Sequence, residues 1–430
     1  MEIIKSEQRI ISECRDFLSS VETNSFLIAF SGGCDSTVLL HCLNKLKKEF
    51  KLNIRVIHIN HNYTKESELF SVHCKNICEE YNLEYICSNI YLDSDSNVEE
   101  QLRNKRYDAL TSIAYKNEYV VTAHHFDDQI ETFFLRLMRG SSNKGLSCMS
   151  MLTKLNNHVI SRPLLNINKL DIKNYQKKNK LNFIEDSSNK FNKFDRNFIR
   201  NEIVPKLKKR WKGLNSVMKN NIEHQRIHSI ILDDLILEKL NHIYDKFSKK
   251  LSISKIKQEN SYIQAELIHK CFLLENQISL NHNQVNEILN NIINTDKDST
   301  PEFTFHAFSI RKYQGFLYFL NKSDNNNNYN SKQWDLGNDL KFNELTIKIS
   351  KLKELGIYNF LHINKPVTVR RREGGEKIKV NSKFHQKLKK IFQSKNVPIW
   401  EREAYAFIYV KEELIAVYGP NDIIISNTRH

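Results

Sequence analysis

No Cys-x2-Cys pair occurs among the eight cysteines of this 430-residue chain. That excludes a zinc site or a dithiol redox centre of ordinary spacing. Cys74 and Cys78 have three residues between them and the others are scattered, so no disulfide framework is encoded. No apolar run approaches the roughly 18 residues that cross a bilayer, and no signal-peptide stretch opens the chain. A reducing cytoplasm and no membrane partner are the expectation. Internal repeats are missing too, which excludes solenoid arrays.

What is present starts with length: 430 residues make two or three domains. Hydrophobic content of 40% supplies ordinary cores. The net charge of +15 is concentrated in two places. Lys169 to Lys212 holds fourteen Lys and Arg against five Asp and Glu, and Lys365 to Lys395 holds eleven against two. The rest of the chain is nearly neutral. Two separated basic blocks are the electrostatic footprint of a nucleic-acid binder, with solvated Lys-rich helices as the plain alternative. Each block lies next to a distinctive motif, which favours RNA.

Phe26-Leu27-Ile28-Ala29-Phe30 reads as a buried parallel strand. It feeds Ser31-Gly32-Gly33-Cys34-Asp35-Ser36, and an amphipathic helix follows through Val38, Leu39, Leu40, Leu43 and Leu46. Two glycines let backbone N–H groups approach an oxyanion, and the helix N-terminus adds unpaired donors. A phosphate-binding loop is the natural reading, although a Gly-Gly turn with a Ser or Asp N-cap looks the same locally. The loop has no Gly-Lys-Ser/Thr. It is therefore not a Walker A loop and brings no lysine of its own to terminal phosphates.

Further strands are predicted at Ile54–Ile59, Leu83–Cys87 and Tyr119–Ala123, with helices near 36–48, 66–81 and 98–116. That alternation predicts an α/β fold, a doubly wound parallel sheet with ligands beyond the carboxyl ends of its strands. Ser31, His58-Ile59-Asn60-His61 and Ala123-His124 fall at such ends. The catalytic domain is placed at 1–213 and a mainly helical domain at 214–320, the latter with a few strand-like residues at Phe303–Phe305 and Phe316–Phe319. An Asn-rich linker follows at 321–333, then a small α+β domain at 334–430. Strands in that last domain are expected at Leu345–Ile349, Val367–Arg370, Ala406–Val410 and Leu414–Tyr418.

Three more constellations carry chemistry. In His124-His125-Phe126-Asp127-Asp128-Gln129-Ile130-Glu131, a helix begins whose apolar stripe is Ile130, Phe133, Phe134, Leu137 and Met138. Asp128 and Glu131 share a face one turn from its start, where acids can complement the dipole or hold a cation. Arg103 and Arg106 lie on one face of an earlier helix and suit phosphate oxygens, or simply pair with local glutamates. Asp186-Ser187-Ser188-Asn189 reads as a turn or N-cap, and Arg196 and Arg200 at i, i+4 present two guanidinium groups on one face.

These pieces occur in one order, together with Arg136-x-x-Arg139-Gly140 and Arg162-Pro163-Leu164-Leu165. The loop resembles that of the PP-loop ATP pyrophosphatases, and the whole set resembles the bacterial tRNA(Ile)-lysidine synthetases. Arg370-Arg371-Arg372-Glu373-Gly374-Gly375-Glu376, Lys387–Phe392 and Val397-Pro398 are similar to that family's C-terminal domain. The resemblance implies ATP-dependent ligation of L-lysine onto the wobble cytidine of tRNA(Ile) with a CAU anticodon, through an adenylated cytidine. Decoding then changes from AUG to AUA.

It further implies roles for matching residues. Ser31, Gly32, Gly33, Cys34, Asp35 and Ser36 cradle ATP, with Asp35 helping to hold Mg²⁺. Asp128 and Glu131 hold the substrate lysine, supported by His124 and Asp127. Asp35, Asp128, Arg103 and Arg106 form the catalytic set. Arg103 and Arg106 reach the nucleotide or tRNA phosphates, and Arg196 and Arg200 do likewise. Arg370, Arg371, Arg372, Lys387, Lys389 and Lys390 grip the tRNA body. A homodimer and a monomer both stay open. Two rivals remain: a tRNA thiolase on the same loop, which lacks its cysteine pair here, and a non-catalytic RNA binder, to which Asp35, Asp127, Asp128 and Glu131 are of no use.

Overall fold

The computed structural model describes residues 2–60, 67–91, 98–185, 192, 194–295, 301–321, 330–343, 345–381, 384–420 and 422–427. His61, the Asp186-Ser187-Ser188-Asn189 turn and residues 322–329 of the Asn-rich tract lie outside the described residues. The chain divides into two compact units, Met1–Asp233 and Asp234–His430.

In the first unit the apolar runs become strands β1 (Ser25–Ala29), β2 (Asn53–Asn60), β3 (Glu84–Asn89) and β4 (Tyr119–Val121). Helices α2 (Cys34–Leu46), α3 (Ser67–Glu80) and α4 (Val98–Ile113) connect them, after an opening helix α1 (Glu2–Ser20). Then come α5 (Phe126–Met138), the short α6 (Asn143–Leu146), and the strands β5 (Leu152–Leu155) and β6 (His158–Ser161). The sheet order is β3-β2-β1-β4-β6-β5. All neighbours run parallel except β5, which closes the edge as an antiparallel hairpin with β6. Strand order reverses between β1 and β4, so the crevice beyond their carboxyl ends is the expected ligand position of a doubly wound sheet.

Period-two alternation divides the core into two layers. Phe26 and Ile28 face the cluster containing Ile10, Phe17, Val38 and Leu39, whereas Leu27 faces Ile57, Leu110, Val120 and Ile160. Each such side chain, once buried, contributes about 1.5–3 kcal/mol. Helix α7 (Lys169–Lys178) joins the first layer through buried Ile172 and Tyr175, and Ser6 of α1 donates to Asp171 Oδ1 at 2.7 Å. A helical turn α8 (Asp195–Phe198), a π-turn (Ile199–Ile203) and α9 (Val204–Arg210) follow.

One expectation needs correcting. In α5 Ile130 is buried and Phe133 and Phe134 are partly so, but Leu137 is 43% exposed and Met138 75% exposed. The first turns of α5 face inward and take Asp128 and Glu131 with them, while the last turn runs out into solvent.

Helix α10 (Leu214–Ile243) crosses the boundary between the units. The second unit holds helices Ser261–Asn276 and His282–Ile288, within the stretch expected to be mainly helical. The few strand-like residues there prove to be part of a five-stranded antiparallel sheet, in the order Tyr244–Asp245, Lys250–Ser252, Phe316–Asn321, Phe308–Tyr313, Glu302–Phe305. A second five-stranded sheet runs Ser331–Trp334, Val367–Arg370, Ala406–Val410, Glu413–Tyr418, Ile423–Ile425. Ser331–Gln333, expected as linker, is thus already strand, paired with Thr368–Arg370.

Candidate active site

The loop after β1 is built by its glycines. Gly32 has φ +77°, and a Cβ there would stand 3.0 Å from Cys74 Sγ, so a side chain would be strained by conformation and crowded for space. Gly33 precedes the first turn of α2 and its carbonyl accepts from Thr37 N–H at 3.0 Å, Thr37 Oγ1 at 2.9 Å and Ser36 Oγ at 3.0 Å. Ser31 Oγ and Ser36 Oγ are 3.1 Å apart. His58 is buried behind the loop with Nδ1 2.9 Å from Phe30 O, so it supports the turn from below.

Asp35, on the first turn of α2, carries the loop's negative charge. Lys169 Nζ lies 2.5 Å from its Oδ1, and His125 Nε2 stands 3.6 Å from its Oδ2. Burial works against the Asp35 carboxylate, but His125 and Lys169 outweigh it and hold the group below its ordinary range. The other imidazole nitrogen, Nδ1, stands 3.4 Å from Asp128 Oδ2. His125 therefore bridges the Ser31–Ser36 loop and the acidic helix. Burial pulls the imidazole down, yet Asp128 and Asp35 raise it above its usual value.

Asp128 and Glu131 are both buried on α5, and their cations come from the segment after 192. Arg196 donates to Asp128 Oδ1 and to Glu131 Oε2, both at 2.9 Å. Arg200 reaches Glu131 through two donors, at 2.7 and 2.8 Å, and Asp128 Oδ1 at 3.2 Å. Here the structure departs from the sequence expectation. The two arginines read as free phosphate ligands stand against carboxylates, because an uncompensated acid in a desolvated site is costly. Burial pushes the Asp128 carboxyl up, but His125, Arg196 and His124 overcome it and hold it far below the carboxylate range.

Asp127 faces elsewhere. It accepts from the Lys169 backbone N–H at 3.1 Å and pairs with Lys208 of α9. His124 Nδ1 is 2.9 Å from Thr122 Oγ1. Burial drives its imidazole down to about 3, assisted by Arg106, Arg162 and Arg196, so it is neutral. Arg103 and Arg106 of α4 both lie over the Tyr107 ring, at 5.2 and 5.5 Å from its centroid. Arg103 is exposed, whereas Arg106 is only half-buried by surface and its Nε has no partner among the described residues.

Sequence reasoning missed Lys169, Lys208 and the bridging position of His125. Arg162 was noted only as part of a motif. It is 4% exposed and is held by Ser150 O and Thr153 Oγ1, each at 2.9 Å. The basic residues Arg370, Arg371, Arg372, Lys387, Lys389 and Lys390 belong to the second unit. Arg370 pairs with Glu412 at 3.1 and 3.0 Å and Arg372 stands 3.8 Å from Glu376, while Lys387, Lys389 and Lys390 are exposed.

The Ser31–Ser36 loop is thus joined through His125 to a buried acidic pair. A PP-loop domain matches residues 6–207, and a TilS substrate C-terminal domain matches residues 367–421. The tRNA(Ile)-lysidine synthase of Histophilus somni (strain 2336) is 32% identical over 417 residues, 91% of this chain and 94% of its own length. That of Buchnera aphidicola subsp. Acyrthosiphon pisum is 34% identical over 425 residues, 96% and 94% of the two chains. The chain belongs to the tRNA(Ile)-lysidine synthase family. Membership covers both units, and the match over residues 6–207 gives the first unit its class, a PP-loop domain.

The thiolase alternative is the weaker one. Burial, with Asp35 adding to it, pushes the Cys34 thiol up, and burial pushes Cys148 up to about 11. Neither is the ready thiolate that sulfur transfer needs. Among the described residues no group of three His, Cys, Asp or Glu could cage a metal. Asp35 alone suits a hard cation such as Mg²⁺, which takes one or two carboxylates and completes its shell with substrate phosphates.

Proposed function

We propose that this protein ligates L-lysine to the wobble cytidine of a CAU-anticodon tRNA(Ile), using ATP and releasing AMP and pyrophosphate. The observation that carries this reading is His125 set between Asp35 and Asp128, at 3.6 and 3.4 Å. It joins a nucleotide site to an amine site within one crevice.

In the first step the cytosine 2-keto oxygen attacks the α-phosphate and pyrophosphate leaves. Ser31, Gly32, Gly33 and Ser36 offer hydroxyl and backbone donors to phosphate oxygens. Asp35 is the residue to hold Mg²⁺, which supplies charge neutralisation on the phosphates when bound. In the second step the ε-ammonium of lysine loses a proton, the free amine forms a C–N bond to the activated carbon, and the C–O bond to AMP breaks as the nitrogen releases its second proton. Asp128 and Glu131 take the ammonium groups of the amino acid, with His124 shaping the wall, whereas Asp127, held by Lys169 and Lys208, stands outside that pocket. For that, the substrate exchanges places with part of the Arg196 and Arg200 contacts. Those arginines, like Arg103 and Arg106, are then available to nucleotide or tRNA phosphates. Arg370, Arg371, Arg372, Lys387, Lys389 and Lys390 give the second unit its hold on the tRNA body.

The test is incubation with ATP, Mg²⁺, lysine and the CAU tRNA, followed by mass spectrometry of the anticodon nucleotides. A cytidine heavier by lysine less one water, with one AMP per modification, is the expected result. AMP without lysidine would point to another nucleophile and defeat the proposal.

A further inference from the structure

The Ser31–Ser36 loop has no lysine of its own, yet a lysine stands at it. Lys169 is the first residue of α7, and its Nζ lies 2.5 Å from Asp35 Oδ1 although 134 residues separate them. Its place is fixed from both ends. The Lys169 N–H donates to Asp127 Oδ1 at 3.1 Å, and buried Ile172 and Tyr175 anchor α7 in the core. The ammonium side chain remains 33% exposed, so it sits at the rim of the loop and not beneath it. Lys173 is one turn further along α7, and both lysines contribute to the field felt by Cys34 in the middle of the loop. Lys169 is the one of the two that the geometry brings into contact with the loop.

We infer that Lys169 is a catalytic residue that binds the β- and γ-phosphates of ATP and the departing pyrophosphate, supplying from a distant helix the point charge that Walker A loops carry within the loop. The inference rests on the ATP-cleaving reading above. In the structure as described, Lys169 is paired with Asp35. When ATP and a divalent cation arrive, the Asp35 carboxylate gains a stronger partner and the ammonium turns to phosphate oxygen. No covalent bond to Lys169 forms. It stays protonated and donates hydrogen bonds as negative charge gathers on the leaving group.

The experiment is calorimetric titration of the full chain with pyrophosphate, ATP and AMP in the presence of Mg²⁺ and without tRNA or lysine. Lys169→Met is expected to weaken pyrophosphate and ATP by roughly tenfold or more, the size of one lost charge-assisted contact, while AMP binding stays unchanged. Lys169→Arg should restore most of the difference. Removing Lys169 also leaves Asp35 with His125 as its one remaining ion-pair partner among the described residues, so the same comparison is made between Asp35→Asn and Asp35→Asn/Lys169→Met. If Lys169 touches phosphate, pyrophosphate binding falls again in that background. If it merely neutralises Asp35, the two variants bind alike and the inference is overturned. Equal losses of AMP and pyrophosphate also overturn it. A wild-type protein that binds no pyrophosphate defeats this inference and the ATP-cleaving reading together, which separates that failure from the others.

Discussion

At the scale of single residues, charge in this site is balanced by contact rather than by solvent. Asp35 and Asp128 share one imidazole, so removing either acid disturbs a group common to both halves of the crevice. Asp35→Ala and Asp128→Ala should each lower lysidine formation by about a hundredfold or more, measured as AMP released per minute, while tRNA retention on filters is unchanged. Gly32→Ala has a different consequence. With φ at +77° and Cys74 Sγ 3.0 Å from the new Cβ, it should destabilise the protein by about 1–3 kcal/mol in urea titration and weaken ATP binding. His41, away from the site and 3.0 Å from Tyr175 OH, gives a pH signature. Burial, with Lys45 nearby, pushes its imidazole down to about 4. The unfolded chain takes up that proton near pH ~6.5, so stability is fully present above that value and declines as pH falls towards 4. His41→Asn should flatten this part of the melting-temperature profile.

At the scale of elements, the informative pair is α5 and the segment from Asp195 to Arg210. Helix α5 buries two acids that its own sequence cannot neutralise, and α8 with the following π-turn brings Arg196 and Arg200 to meet them. Arg196→Ala leaves Asp128 and Glu131, 7% and 3% exposed, with one guanidinium between them. A loss of about 1–3 kcal/mol is expected, read as a lower urea midpoint. This arrangement was half legible. The His-x2-Asp-Asp-x2-Glu spacing showed the acids sharing a face, and the i, i+4 spacing showed the arginines sharing another. That the two faces meet was not visible, because Arg196 and Glu131 lie 65 residues apart. Likewise the apolar stripe of α5 continued in sequence through Met138, but how far the core extends is set by neighbouring elements.

At the scale of the whole molecule, the basic blocks carry the prediction. Lys387, Lys389 and Lys390 are exposed in the second unit, where phosphate contacts would make tRNA affinity salt-dependent. Replacing all three by alanine should reduce the slope of log affinity against log salt by about 2–3, without changing ATP binding in the first unit. The sequence by itself determined the parallel α/β core, the Gly32-Gly33 loop between β1 and α2, and the uneven charge. Each depends on backbone sterics, hydrophobic period or composition over short stretches. Only the tertiary structure decided that β5 closes the sheet antiparallel, that strand-like scraps after Tyr244 form a full sheet, and that Lys169 reaches Asp35. Those outcomes depend on where long crossovers return the chain. An ion pair between residues 134 positions apart leaves no local pattern to read, since the two charges are neighbours only where the fold brings them together.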